Sequence, residues 1–316
     1  MLKIKVEPPD AGKRADVFLA EKLPKFTRSS LSGLFENALV VVNNKPARGS
    51  YRLKGGDKLE VDTRLLTARP ADIKLPIVYE DDDVIVINKP AGILTHSKGV
   101  LNTEATVASF IEPKLNDKRL TGNRAGIVHR LDRATSGVII TAKNEKALKQ
   151  LQKQFSTRKV KKIYRAIVEG TVEPAEAIID ASIERNPKKP QTFRVSSNGR
   201  SAITNYQVLK TLNKPAPHQV LSEKRGNTSI SSVKSLVTGS NNSYSLLELT
   251  PQTGRTHQLR VHLKYIGHPI VGDRVYGHDG ENLYLHAKSL ELTLPSGQKM
   301  KFEAPAPKVF KEFISS

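Results

Sequence analysis

The sequence predicts an α+β protein: a small helix–helix–strand module, followed by a larger domain of strands with flanking helices. Three observations predict it. Apolar residues fall at helical spacing in two short segments near the start. Strand-like runs separated by turn residues dominate from about residue 76 onward. One amphipathic helix, Glu145 to Phe155, interrupts them. At 316 residues the chain is long for one domain and comfortable for two.

In the first helix, Arg14 to Leu23, the apolar residues are Val17, Phe18, Leu19 and Leu23. The second, Thr27 to Glu36, carries Leu31, Leu34 and Phe35, and Pro24 separates the two. Thr27 or Ser29 suits the N-cap of the second, because a hydroxyl there accepts from a free backbone N–H. Leu39-Val-Val-Val-Asn-Asn-Lys-Pro is a short strand entering a turn, and Lys54-Gly-Gly-Asp-Lys-Leu-Glu-Val-Asp a turn entering a strand. The module is expected to span residues 1–64, with 13 basic and 8 acidic residues. Residues 65–75, without a clear period and containing Pro70, read as a linker. The second domain is expected over 76–316.

That domain opens with Ile77-Val-Tyr-Glu-Asp-Asp-Asp-Val-Ile-Val-Ile-Asn-Lys-Pro-Ala-Gly, two strands around an acidic turn. In the helix, Leu148, Leu151 and Phe155 share one face. Nine Lys or Arg against one acid lie between Lys143 and Arg165, a candidate phosphate track. Tyr206-Gln-Val-Leu-Lys and Tyr244-Ser-Leu-Leu-Glu-Leu-Thr read as paired strands. Residues 211–243 between them, rich in Ser, Asn, Thr, Gly and Lys, read as a flexible insertion whose Lys214, Lys224, Arg225 and Lys234 can reach a polyanion.

The 51 Lys plus Arg outnumber the 31 Asp plus Glu, for a formal net charge of +20. That excess favours a polyanionic partner. The absence of Cys excludes a disulfide framework, a thiolate metal site and a cysteine nucleophile. No apolar run reaches the roughly 20 residues of a membrane span, and the start lacks the apolar stretch of a secretory signal. The expectation is a cytoplasmic protein with no membrane partner. Without Trp, and with 5% aromatics, a broad stacking platform for single strands is disfavoured.

Chemistry concentrates in Gly126-Ile-Val-His129-Arg130-Leu131-Asp132-Arg133-Ala134-Thr135-Ser136-Gly137. A carboxylate, a His, two Arg and two hydroxyls occupy a short loop between apolar strands, where a reactive group can be held rigidly. Read without context, the same loop is a surface turn tied by Thr135 and Ser136.

Two resemblances sharpen this reading. Asp16-Val-Phe-Leu, Leu23-Pro, Thr27-Arg28-Ser29, Val40-Val-Val-Asn43 and Gly55-Gly-Asp57 resemble the alpha-L RNA-binding motif. Ala15 stands where that motif prefers Leu, and Asn37-Ala38 replaces its turn glycine, with Asn able to take the left-handed conformation. The resemblance implies phosphate contacts from Arg28, Lys45 and Lys54. Residues His129 to Gly137 resemble the signature of the RluA-type pseudouridine synthases, and other segments match in order. These are Ile85 to Gly92, Gln154 to Val168, Gly199 to Thr204, Leu249 to Arg260, His268 to Asp273 and Leu285-His-Ala.

The second resemblance implies isomerisation of uridine to pseudouridine in RNA, with no cofactor and no metal. It implies Asp132 as the nucleophile, its attack on sugar or on ring left open. A dry pocket disfavours a carboxylate's charge and a neighbouring cation restores it. Arg255 is the matched candidate for that cation. Tyr164 is expected against the uracil, Arg130 in the space a flipped base leaves or on the adjoining phosphate, and Leu285 along the pocket or in the core. His129 is expected to bond backbone, and His257, His262 and His268 to be structural. Asp273 is too distant in sequence to assign. The expected catalytic fold is a mixed, mainly antiparallel sheet with flanking helices, and the expected protein a monomer. The expected partner is ribosomal RNA or a large-subunit assembly particle, with transfer RNA open. The competing readings are a non-catalytic RNA-binding or ribosome-assembly factor, and a glycosidase, which needs a second carboxyl group that the loop does not offer.

Overall fold

The structure is a computed structural model. It describes residues 1–316 except 25, 68–69, 98–103, 118, 121, 123, 216–240 and 316. In chain order the elements are β1 (Leu2–Lys5), α1 (Ala15–Lys22), α2 (Arg28–Glu36), β2 (Val40–Val42), β3 (Lys45–Pro46), β4 (Lys58–Val61), α3 (Arg64–Thr67), β5 (Ile77–Glu80), β6 (Val84–Lys89), α4 (Val107–Ile111), β7 (Ser136–Ala142) and α5 (Glu145–Ser156). They continue as β8 (Lys161–Glu169), β9 (Glu176–Asp180), β10 (Ile183–Arg185), β11 (Phe193–Val195), β12 (Ile203–Pro215), β13 (Asn241–Pro251), α6 (Gln258–Tyr265), β14 (Leu285–Thr293), β15 (Lys299–Glu303) and α7 (Lys308–Ser315). Contacts divide the chain into two compact units. One holds Met1–Val86, Ile93–Leu131 and Ile140–Gln152; the other holds Ile87–Gly92, Asp132–Ile139 and Lys153–Ser316.

In the first unit, β1, β4, β2 and β3 form a four-stranded sheet in that order. Helices α1 and α2 bury Phe18, Leu19, Leu31 and Leu34 against Val40, Val42, Leu59 and Val61 of the sheet. Each such side chain contributes roughly 1.5–3 kcal/mol on burial. Thr27 caps α2, its hydroxyl accepting from Ser30 N. Asp16 fastens the helices together. It accepts from Arg14 Nε at 3.0 Å and Nη2 at 2.9 Å, and from Arg28 Nη2 at 2.9 Å. Arg14 first, and Arg28 after it, hold its carboxyl down at about 2 against the cost of burial. The turn after α2 corrects one expectation: Asn37 keeps a negative φ of −94°, and Ala38 is the left-handed residue, at φ 55°. A short helix, α3, starts where the linker was expected.

In the second unit the strand order runs from β7 through β14, β8, β13 and β12 to β9, with β15 also on β14. β14 is parallel to β7, and β8, β9, β12, β13, β14 and β15 pair antiparallel, so the sheet is mixed and mainly antiparallel. Successive side chains of a strand face opposite sides. Ala166, Val168, Leu247 and Leu249 pack with Leu259 and Leu263 of α6. Ile167, Tyr244 and Leu246, the alternate positions, pack with Phe310 of α7. Helices on both faces explain why β8 and β13 read as continuous apolar runs. β12 and β13 pair as expected, Tyr206 against Leu249 and Leu212 against Tyr244. They reach into the expected insertion: residues 211–215 and 241–243 continue the strands. The rest of that expectation, with Lys224, Arg225 and Lys234, lies outside the described residues.

Candidate active site

The loop between Gly126 and Gly137 is fixed by backbone-directed bonds. In the first unit, Thr95 Oγ1 donates to Leu131 O at 2.8 Å and accepts from Leu131 N at 3.1 Å. His129 Nε2 accepts from Ile140 N at 3.2 Å, the backbone role expected of it. In the second unit Thr135 N donates to Asp132 O at 3.1 Å, closing a tight turn. Gly92 N and Lys89 Nζ both donate to Arg133 O, at 2.8 and 3.2 Å. Ser136 Oγ is 2.9 Å from His286 Nδ1. At Gly137, φ +118°, a Cβ would lie 2.2 Å from Ala287 O, so only glycine lets β7 approach β14 here.

Asp132 emerges from this turn with an 18% exposed side chain. Arg260 Nη1, on α6, lies 3.6 Å from its Oδ2, and His257 Nε2 lies 3.9 Å from its Oδ1. Arg260 cannot swing freely, because its Nε and Nη2 donate to Asp273 Oδ2 and Oδ1 at 2.8 and 2.6 Å. Asp273, fully buried, also accepts from Val275 N and Tyr276 N. Burial opposes its charge, but the Arg260 guanidinium and these N–H groups outweigh that and hold its carboxyl below the usual range. One edge of the guanidinium is thus saturated by Asp273, and the remaining nitrogen faces Asp132. The Tyr276 ring lies 5.1 Å from the guanidinium carbon. Its hydroxyl is 2.8 Å from His257 Nδ1, and it accepts from Phe193 N at 2.9 Å. His257, at φ 56°, is left-handed and directly precedes α6.

Lys89 is completely buried, its Nζ donating to Pro90 O at 2.8 Å as well as to Arg133 O. Burial pulls its ammonium down to about 7, Asp132 resisting and Arg133 assisting. Tyr164, on β8, packs against the cluster containing Leu259 and Leu285. Burial, and then the charge of Asp132, push its phenol well above the usual range, so it stays protonated and can donate.

The structure brings together Asp132, Tyr164 and the core around Leu285, and corrects the expected cation. Among the described residues, the arginine beside Asp132 is Arg260, not Arg255. Arg255 Nε donates to Ser201 O at 3.0 Å, and its N–H donates to Gln258 Oε1. Leu285 is 3% exposed and belongs to the core cluster. Arg130 is exposed. In the amino-terminal module Lys45 and Lys54 are exposed, while Arg28 is engaged by Asp16. Sequence reasoning missed Arg260, Tyr276 and Lys89, left Asp273 unassigned, and set His257 aside as structural. One signal was available: Arg260 sits between Leu259 and Val261, and an arginine drawn into the core with them needs a carboxylate partner.

A carboxylate beside a locked guanidinium, with a protonated tyrosine near enough to feel its charge, is an arrangement that can support covalent chemistry on a neutral ring or sugar. The chain matches the family described as RNA pseudouridylate synthase over residues 83–265, and it belongs to that family. It is accordingly an isomerase that converts uridine in RNA to pseudouridine. It is 35% identical to the ribosomal large subunit pseudouridine synthase D of Borreliella burgdorferi, covering 96% of this chain and 89% of that protein. An uncharacterized RNA pseudouridine synthase of Aquifex aeolicus is 34% identical, covering 100% of this chain and 96% of its own. The solved structure of human RNA pseudouridylate synthase domain containing 1 is similar at a TM-score of 0.55 and 26% identity, covering 76% of this chain and 86% of that one.

Proposed function

We propose that this chain isomerises a specific uridine of large-subunit ribosomal RNA, free or in an assembly particle, with Asp132 as the nucleophile. The supporting observation is the placement of the Asp132 carboxylate by Arg260, 3.6 Å away, in a turn held by Lys89 and Gly92 on Arg133 O. The names of relatives from Borreliella burgdorferi and Xanthomonas campestris support the choice of RNA.

In the reaction the bond from C1′ to N1 breaks, the uracil turns, C1′ bonds to C5, and the C5 proton is exchanged for one on N1. No electrons are gained or lost. Asp132 forms a transient ester or ring adduct that divides the step in two. Arg260, locked on Asp273, sets a fixed positive charge 3.6 Å from the attacking carboxylate. Tyr164 supplies a face for the uracil and a hydroxyl that donates, with Leu285 behind it. Arg255 and exposed Arg130 hold flanking RNA, Arg130 filling the space of the flipped base at a cost of a few kcal/mol. Residues 1–64 act as an RNA-binding module, with Arg28, Lys45 and Lys54 on phosphates and residues 65–75 as linker to the catalytic domain at 76–316.

Comparing pseudouridine maps of cellular RNA with and without the protein tests this reading. One or more sites in large-subunit rRNA are expected to vanish and to return with wild type. Asp132→Asn is expected to bind RNA yet lose turnover by a factor on the order of 10⁴ or more. Loss of a transfer RNA site instead would overturn the substrate, and an active Asp132→Asn would overturn the nucleophile.

A further inference from the structure

On β8, Lys162 and Tyr164 are two residues apart, so they project from the same face of the sheet, about 7 Å apart along the strand. Lys161 faces the other way, where it lies in register with Glu291 and its charge acts on that carboxylate. Lys162 has no such companion: among the described residues its side chain makes no ion pair and no hydrogen bond. The charge that acts on it is another cation, Arg158, four residues earlier and exposed in the left-handed turn that follows α5. Burial, and then Arg158, lower the Lys162 ammonium below the ordinary lysine range. Its Nζ is 4.0 Å from the place a Cβ on Gly254 would occupy, in the turn that leads to Arg255 and His257. Gly254 is exposed, and nothing else lies within 4 Å of that place.

An ammonium on the face of Tyr164, without an acidic partner and under the charge of an arginine, is unfavourable unless an anion completes the set. We infer that Lys162 and Arg158, approached across the bare edge of Gly254, form a subsite for a backbone phosphate of the RNA beside the reacting nucleotide. This deepens the reading of Asp132 as the reacting centre and rests on it for the identity of the neighbouring nucleotide. The ammonium acts as a point charge on a phosphate oxygen, and the glycine leaves the backbone of the RNA room to pass. The subsite fixes where the strand enters and reads no base.

The test is equilibrium binding of the full-length protein to unmodified large-subunit rRNA transcript across a series of KCl concentrations. Lys162→Gln is expected to bind about tenfold more weakly at moderate salt, as a lost charge-assisted bond implies. Its log–log salt slope is expected to be shallower by about 0.7–0.9, the value of one phosphate contact. Gly254→Asp, which sets a carboxylate against the ammonium, is expected to weaken binding in the same way, and Gly254→Asn is not. Lys299→Gln, a cation paired with Glu291 on β15, keeps the wild-type slope. Thermal melting confirms that each variant is folded, and the Gly254 pair carries the test if Lys162→Gln is not. Wild-type slopes for both Lys162→Gln and Gly254→Asp would overturn the subsite. If wild type forms pseudouridine in this transcript while those slopes are unchanged, the subsite falls and the substrate reading stands. If the slopes change but no pseudouridine forms, the subsite stands and the choice of rRNA falls.

Discussion

Arg260 serves two carboxylates, and they ask different things of it. Asp273 takes both hydrogens of one edge and is buried; Asp132 stands 3.6 Å from what remains. Arg260→Ala therefore leaves Asp273 buried without its counter-ion, and denaturant unfolding should show a loss of about 3–5 kcal/mol. The double variant Arg260→Met with Asp273→Leu should recover most of that stability while turnover stays lost, which separates support of the fold from support of Asp132. Arg255→Ala should stay within about 0.5 kcal/mol of wild type. Lys89 makes a prediction in pH. Unfolded, it keeps its proton to about 10.5; folded, only to about 7. Between those values the unfolded chain binds more protons, so this group makes stability rise with pH there and is silent below about 7. Urea unfolding from about pH 6 to about pH 9 should show the rise in wild type and its disappearance in Lys89→Met. Asp132 was legible in the sequence because its loop crowds polar side chains between apolar strands. Its cation was not, since Arg255 and Arg260 flank the same histidine and only the turn of α6 decides which one points inward.

The elements were legible where one face is apolar and the other is not. Helices α2 and α5 follow the 3.6-residue period, whereas α1 carries a consecutive run, Val17-Phe18-Leu19, with little contrast between its faces; Thr27 caps α2 as a hydroxyl should. α6 was hidden because Gln258 to Tyr265 alternates polar and apolar residues with the period of a strand, while six of the eight, polar ones included, are buried in the helix. The turn after α2 was half legible: the need for a left-handed residue could be seen, and the residue that meets it could not. Ala38 holds φ 55° without the side-chain bonds that let Asn tolerate that region. Ala38→Gly should stabilise the protein by about 1 kcal/mol, read as a higher melting temperature. Unchanged or lower stability would show that the turn relaxes in solution.

For the molecule as a whole, the excess of 51 basic over 31 acidic residues sets how it meets RNA. Its affinity for rRNA transcript should fall steeply and log-linearly with salt, as counterion release requires, and a flat response would contradict a phosphate-dominated interface. Composition made that much plain. It could not show the division into contact units, because β6 and β7 each begin in one unit and end in the other. The stretch from Gly126 to Gly137 has its own consequence for descent and design. At Gly126 a Cβ would strike Ala142 O at 2.3 Å, and at Gly137 it would strike Ala287 O at 2.2 Å. Neither position admits a side chain, so the two glycines must be inherited or transplanted along with the polar residues between them, and a library that randomises either one should return only glycine among its active clones.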